Sequence, residues 1–186
     1  MRDGADLVDK GRSPNAPLTA LIVGAGFAGI GAGVELLKRG LEDFLIVDKA
    51  GGIGGTWWWN TYPGVACDIP AHFYCFSFEP NPDWSRAYPP GEEIRQYIER
   101  TAERRGLAPH IRLNTKLERA VWDEASALWR IELGEDETLW ARHLISGAGG
   151  LHEPNQPRIE GASRFQGEQI HTARWREVDV EGKRVA

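Results

Sequence analysis

The sequence predicts an α/β fold, a doubly wound parallel sheet with an added antiparallel β-meander. Three observations carry this reading. Two continuous apolar runs, "LTALIV" (Leu18 to Val23) and "FLIVD" (Phe44 to Asp48), bracket a stretch of helical periodicity. A glycine-rich loop, "GAGFAG", joins the first run to that helix. Farther on, short alternating stretches follow one another with turn residues between them. Continuous apolar runs suit strands buried on both faces of a parallel sheet, whereas alternation suits antiparallel strands with one wet face.

Residues 1–17 read as a polar tail, and its opening "MRDGADLVDKGRSPNA" lacks the apolar core of a secretory signal. Leu18 to Val23 is the first strand. A helix then runs through about Arg39, with Ile30, Val34 and Leu37 at helical spacing and Gly40 where a C-terminal cap belongs. Phe44 to Asp48 is the second strand, and the crossover between the two should be right-handed. From Lys49 to Pro90 the chain is irregular and rich in Gly, Pro and aromatics, longer than an ordinary connection. A second helix starts at Pro90-Gly91-Glu92-Glu93, with proline and acids at its N-terminus and Ile94, Tyr97, Ile98 and Thr101 on one face. "IRLNTKL", "RAVWDE", "LWRIEL" and "TLWARHLIS", broken at "DEAS" and "GEDE", read as antiparallel strands returning to the main sheet. Residues 18–175 are expected to form one domain, and 176–186 a linker entering a further strand at "GKRVA".

Net charge is −5, from 22 basic and 27 acidic residues, and no basic run stands out, which argues against nucleic acid as a partner. No apolar run approaches the ~20 residues of a membrane helix. Cys67 and Cys75 make no metal or redox spacing and are too few for a disulfide scaffold. The expectation is a soluble cytoplasmic protein with reduced thiols and no metal.

Gly24-x-Gly26-x-x-Gly29 follows a buried strand and opens a helix, the context in which such a loop binds a dinucleotide in a Rossmann-like domain. Gly24 permits the tight turn, Gly26 lets backbone approach a pyrophosphate, and Gly29 lets helix and strand pack closely. The phosphates would sit at the positive end of the helix dipole. Asp48, nineteen residues beyond Gly29, stands where a carboxylate accepts from a ribose hydroxyl and repels a 2′-phosphate. The neighbouring Lys49 weakens that exclusion slightly. The loop alone leaves NAD and FAD open.

"GGIGGTWWWNTYPGVACDIP" (Gly51 to Pro70) resembles the loop of flavin-dependent Baeyer–Villiger monooxygenases, in which a glycine-pair–Thr–Trp segment runs beside the flavin ring. "FYCFSFEPNPDWS" resembles the hydroxyacetophenone monooxygenase branch of that family, which also includes cyclohexanone monooxygenase-like enzymes. Phe165-x-Gly167-x-x-x-His171-x-x-x-Trp175 resembles the family fingerprint, with Arg176 in place of its closing Pro or Asp. "ISGAGGLHEPNQPRIEG" resembles the glycine turn leading out of the flavin domain. A rigid aromatic wall shields a reactive flavin from water at low entropic cost. Adjacent side chains cannot all face one way, so at least one of the three tryptophans is expected in the core. Disulfide reductases place a cysteine where Trp57 stands here, which argues against thiol–disulfide chemistry.

The resemblance implies an FAD-binding domain whose enzyme uses NADPH and molecular oxygen to convert a small-molecule ketone to an ester or lactone. It puts Phe27, Ala28 and Gly149 along the cofactor and Asp48 and Lys49 near the adenosine ribose. Gly55, Thr56, Trp57, Trp58, Trp59, Asp68 and Tyr74 would flank the flavin, and Leu117 the adenine. Asp68 would help orient an arginine, and His171 would belong to a hinge between flavin and NADPH domains; these two are the catalytic candidates. His72, His110, His143 and His152 are read as structural or exposed. The family's NADPH domain begins where this sequence ends, so the fold is expected to be incomplete at its C-terminus. The alternative reading is a truncated dinucleotide-binding module without turnover.

Overall fold

The computed structural model describes residues 12–185; most of the expected tail, residues 1–11, and Ala186 lie outside the described residues. The first strand, β1 (Leu18–Val23), leads through the glycine loop into α1 (Phe27–Lys38), and β2 (Phe44–Val47) follows. Ile30 and Val34 of α1 are buried against the sheet, with Leu37 packed beside them. At the end of α1 the Gly40 amide bonds to the Leu37 carbonyl and the Leu41 amide to that of Leu36. Gly40 has φ +72°, so the helix closes with the paired bonds of a Schellman cap.

The long irregular segment holds a short helical turn, α2 (Thr56–Trp59), and a 3₁₀ turn, Ala71–Phe73, before α3 (Gly91–Arg104). Ile94, Tyr97, Ile98 and Thr101, the face read from the sequence, are buried. β3 (Ile111–Arg112), β4 (Leu117–Asp123), β5 (Leu128–Leu133) and β6 (Glu137–Ser146) complete a six-stranded sheet in the order β3-β2-β1-β6-β5-β4. β4, β5 and β6 form the antiparallel meander, and β6 joins it to β1 in parallel register, Ile22 opposite Ile145.

"IRLNTKL" is not one antiparallel strand. Ile111–Arg112 pairs parallel with β2, and β4 begins only at Leu117. Asn114 adopts φ +52° between them, a left-handed turn that Asn tolerates better than most residues. Lys183 to Val185 form no strand, and Val185 is exposed; a strand needs a ladder partner for its backbone groups.

Two apolar clusters sandwich the sheet. On one face Ala20, Ile22, Phe44 and Ile46 pack against α1 and α3. On the other, Leu21, Leu45 and Val47 pack against Ile131, Leu133, Leu139 and Ala141 of the meander. The cover on that second face is therefore supplied by strands, not by a helix. Among the described residues no helix is long and apolar enough to cross a membrane.

The tightest constraint lies where β1 enters α1. A Cβ on Gly29 would sit 1.7 Å from the Gly24 carbonyl oxygen, a distance no side-chain shift relieves. A Cβ on Gly40 would meet nothing within 4 Å and suffers only its positive φ. We expect Gly29→Ala to cost more than about 4 kcal/mol and Gly40→Ala only about 1 kcal/mol. Urea unfolding of the two variants checks this, and equal losses would contradict the steric account.

Candidate functional site

The carboxyl ends of β1, β2 and β6 open into a cleft of about 480 Å³. Its floor is glycine backbone. Gly24, Gly26, Phe27 and Ala28 line it where α1 begins, and among the described residues no side chain caps that helix end. Free N–H groups and the helix dipole there favour an anion. Gly54 and Gly55 come up against this loop, with the Gly54 amide bonded to the Ala25 carbonyl at 3.0 Å. A Cβ on Gly55 would lie 3.0 Å from the Cα of Gly26. Both loops must therefore be bare backbone, and the resulting cradle fits a pyrophosphate.

Asp48 lines the cleft just past β2. One of its carboxylate oxygens accepts from the Ala25 amide at 2.7 Å and the other from the Ala50 amide at 2.8 Å. Its first task in the fold is thus to tie the glycine loop to the end of β2. Each carboxylate oxygen keeps a second lone pair for a ligand hydroxyl. Thr115, Lys116 and Leu117 line the same end.

The three tryptophans divide. Successive residues of a helical turn are about 100° apart. Trp57 is 8% exposed and lines the cleft, its indole N–H donating to the Tyr74 hydroxyl at 3.2 Å. Trp59 also lines it, and its ring lies under Lys49 and Arg174, at 5.6 and 4.6 Å from the cations. Trp58 turns away to cover Gly52, where an added Cβ would lie 2.0 Å from the indole. Tyr74 lines the cleft and stacks edge-on against Phe27, with ring centroids 4.9 Å apart. Burial raises the tyrosine's pKa, so the phenol stays protonated at neutral pH.

A further wall completes the cleft, and of it the sequence predicts only the glycine turn with Gly149. It is formed by Gly147, Ala148 and Gly149 after β6 and by Leu151, His152 and Glu153 beyond them. The Leu151 carbonyl accepts from the Asn60 side-chain amide at 3.2 Å, and the His152 carbonyl from the Arg174 guanidinium at 3.0 Å. The Glu153 carboxylate pairs with Lys49. Gly147 belongs to the glycine turn read from the sequence, a glycine directly after a third apolar strand. His152 had no such signal, because its place depends on a long-range fold-back. His110, by contrast, is a core histidine stacked on Phe44 at 4.3 Å.

Four predicted residues lie outside the cleft lining. Gly29 sits beneath the loop as a packing residue, and Trp58 covers Gly52. Asp68 is exposed beside the buried Cys67. His171 accepts from the Ala173 amide at 3.1 Å and caps the short 3₁₀ turn Thr172–Arg174. Neither catalytic candidate is brought to the cleft.

Residues 21–186 match the family model described as pyridine nucleotide-disulphide oxidoreductase. A Baeyer–Villiger monooxygenase of Streptomyces coelicolor is 44% identical over 89% of this chain. The solved structure of an oxidised steroid monooxygenase bound to NADP superposes with TM-score 0.79 at 37% identity, over 89% of this chain and 33% of the neighbour. A solved complex of OTEMO with FAD and NADP gives TM-score 0.79 at 31% identity, over 90% of this chain and 31% of the neighbour. The chain spans about a third of the length of the curated relatives it matches, 32% of the Streptomyces protein.

Burial, with the charge of Lys49 next, holds the His152 imidazole below its ordinary pKa; Asp48 pulls it up and Arg174 down. Its Nδ1 is buried, with no hydrogen-bond partner among the described residues. A depressed histidine pKa means that the unfolded chain takes up the proton first, so stability is lost as pH falls from about 6.5 towards the folded value. In thermal melts between about pH 8 and pH 5, His152→Asn should therefore lose less stability than wild type on the acid side. Parallel profiles would mean that the ring protonates freely in the folded chain.

Proposed function

The chain belongs to the pyridine nucleotide-disulphide oxidoreductase family, and on that premise we propose that it is the FAD-binding portion of a Baeyer–Villiger-type flavin monooxygenase. In this reading the whole enzyme draws on NADPH and molecular oxygen to oxidise a small-molecule ketone to an ester or lactone. The observation that carries it is the meeting of a glycine cradle with the Gly54-Gly55-Thr56-Trp57 turn in one cleft. The Streptomyces relative supports the reaction class, and the neighbours' complexes support the cofactors. Free Cys67 and Cys75 support a cytoplasmic setting.

When bound, FAD supplies the two-electron and oxygen-activating chemistry. The chain's own residues supply place and shelter. Amide groups at the start of α1 hold the diphosphate. Asp48 fixes the loop that carries those amides and presents its remaining lone pairs to the adenosine ribose. Trp57 and Tyr74 exclude water along the flavin side, where a neutral phenol can donate a hydrogen bond, and Trp59, beneath Lys49, shields the ribose end. Asp68 and His171 act at most as supports for segments that pack on this domain, since both stand outside the cleft. Binding without turnover is the competing reading, and product analysis separates the two.

The purified chain should bind FAD and quench its tryptophan fluorescence on doing so. Trp59→Phe should shrink the quench and Trp58→Phe should leave most of it. Gly26→Val should abolish binding by steric block. Asp48→Ala should weaken binding by on the order of 1.5–3 kcal/mol, the range for a hydrogen bond to a charged group, and should lower the melting temperature too, because it frees the Ala25 amide. FAD titration of these variants decides the matter, and unchanged affinity in both Gly26→Val and Asp48→Ala would sink the assignment. Ester formation is expected from the whole-length enzyme and not from these 186 residues. Mass spectrometry after incubation with FAD, NADPH, oxygen and a ketone panel tests this, and ester from the short chain at enzymatic rates would overturn it.

A further inference from the structure

Lys49 lines the cleft directly after Asp48, at the end of β2. In dinucleotide folds this is the place where a basic side chain accommodates a 2′-phosphate on the adenosine ribose. A free ammonium there would recruit a 2′-phosphorylated nucleotide, because lysine binds phosphate as a point charge. Here its charge is already engaged. The Glu153 carboxylate, itself part of the cleft wall, contacts the Lys49 ammonium and lies 3.6 Å from the Arg174 guanidinium. The backbone leading to Glu153 is fixed independently, by the bonds from Asn60 to the Leu151 carbonyl and from Arg174 to the His152 carbonyl. Glu153 is therefore delivered to Lys49 by the fold of its own segment. The other cleft lysine, Lys116, pairs with Glu118 at 2.8 Å. Asp48 adds its own repulsion, but both of its oxygens are turned to backbone amides.

We infer that Glu153 is a specificity-determining residue: by holding the charge of Lys49 and adding its own, it reserves this cleft for an adenosine ribose with a free 2′-hydroxyl and rejects a 2′-phosphate. The inference rests on the proposed FAD site. It gives that site a property it needs, because an enzyme drawing on both FAD and NADPH must keep the second out of the cleft of the first.

The test is calorimetric titration of the full 186-residue chain with ADP-ribose and with 2′-phospho-ADP-ribose, which differ only in the phosphate. Wild type should prefer ADP-ribose. Glu153→Gln keeps the shape and frees the lysine. It should tighten 2′-phospho-ADP-ribose by about tenfold or more and leave ADP-ribose within about twofold. Lys49→Met in the Glu153→Gln background should erase the gain. Glu35→Gln, which makes the same change in net charge on the exposed side of α1, should move neither affinity. Binding of FAD to wild type is followed separately by flavin absorbance. If FAD binds but Glu153→Gln leaves the ratio unchanged, or the gain survives loss of Lys49, the inference is overturned and the FAD site stands. If wild type takes neither FAD nor ADP-ribose, both fall together.

Discussion

Three backbones meet at van der Waals distance where β1 ends, and the rest of the molecule is arranged around that meeting. A Cβ on Gly24 would lie 2.5 Å from the Gly147 carbonyl oxygen, and one on Gly147 would lie 3.0 Å from the Gly29 amide nitrogen. The contact joins the exits of β1 and β6 to the first turn of α1. It is possible because β6 runs parallel to β1 on the side opposite β2. The strand order therefore reverses direction at β1, and in open α/β sheets a ligand crevice forms outside the carboxyl ends of the strands at such a point. The cleft follows from connectivity, and the glycines let it close down to backbone.

Charges at the cleft are placed by the same convergence. Asp48 comes from the exit of β2 and ties down the loop from β1. Lys49 follows it, and Glu153 arrives from the segment after β6. The exit of β2 thus contributes two charges and the segment after β6 the third, and the contacts of Asp48 to the β1 loop and of Glu153 to Lys49 both join segments distant in sequence. Removing one of the three leaves an unpaired charge beside the nucleotide path, where partial desolvation makes it count for more than at the surface.

Local rules carried the reading of β1, α1, β2 and α3, because an apolar run, a 3.6-residue period and a glycine cap are written in adjacent residues. They carried the glycine loop and Asp48 for the same reason. They failed at "IRLNTKL", where one left-handed Asn114 divides a parallel edge strand from the meander. They also could not place Leu151, His152 and Glu153, which reach the cleft only because Arg174 and Asn60 hold their backbone from distant positions. The tryptophan triplet is intermediate. Sequence could say that the three indoles must diverge, and only the fold says that Trp58 is the one turned away to cover Gly52.

The family takes its name in part from disulphide chemistry, and the residues of this chain argue that fold and chemistry part company here. Reductive cleavage of a disulfide needs a thiol pair beside the flavin. The position after Gly54-Gly55-Thr56 holds Trp57, whose ring lines the cleft. Cys67 is buried in the core, and Cys75 is spent on structure: its thiol donates to the Ala71 carbonyl at 3.2 Å and accepts from the Trp84 indole at 3.3 Å. In the proposed FAD reading, an indole in place of a nucleophile turns the same nucleotide frame from passing electrons to sulfur to keeping water away from the cofactor face. The cradle and its dipole are indifferent to that choice. Trp57, two positions past the second glycine pair, fills the space that a thiol there would need.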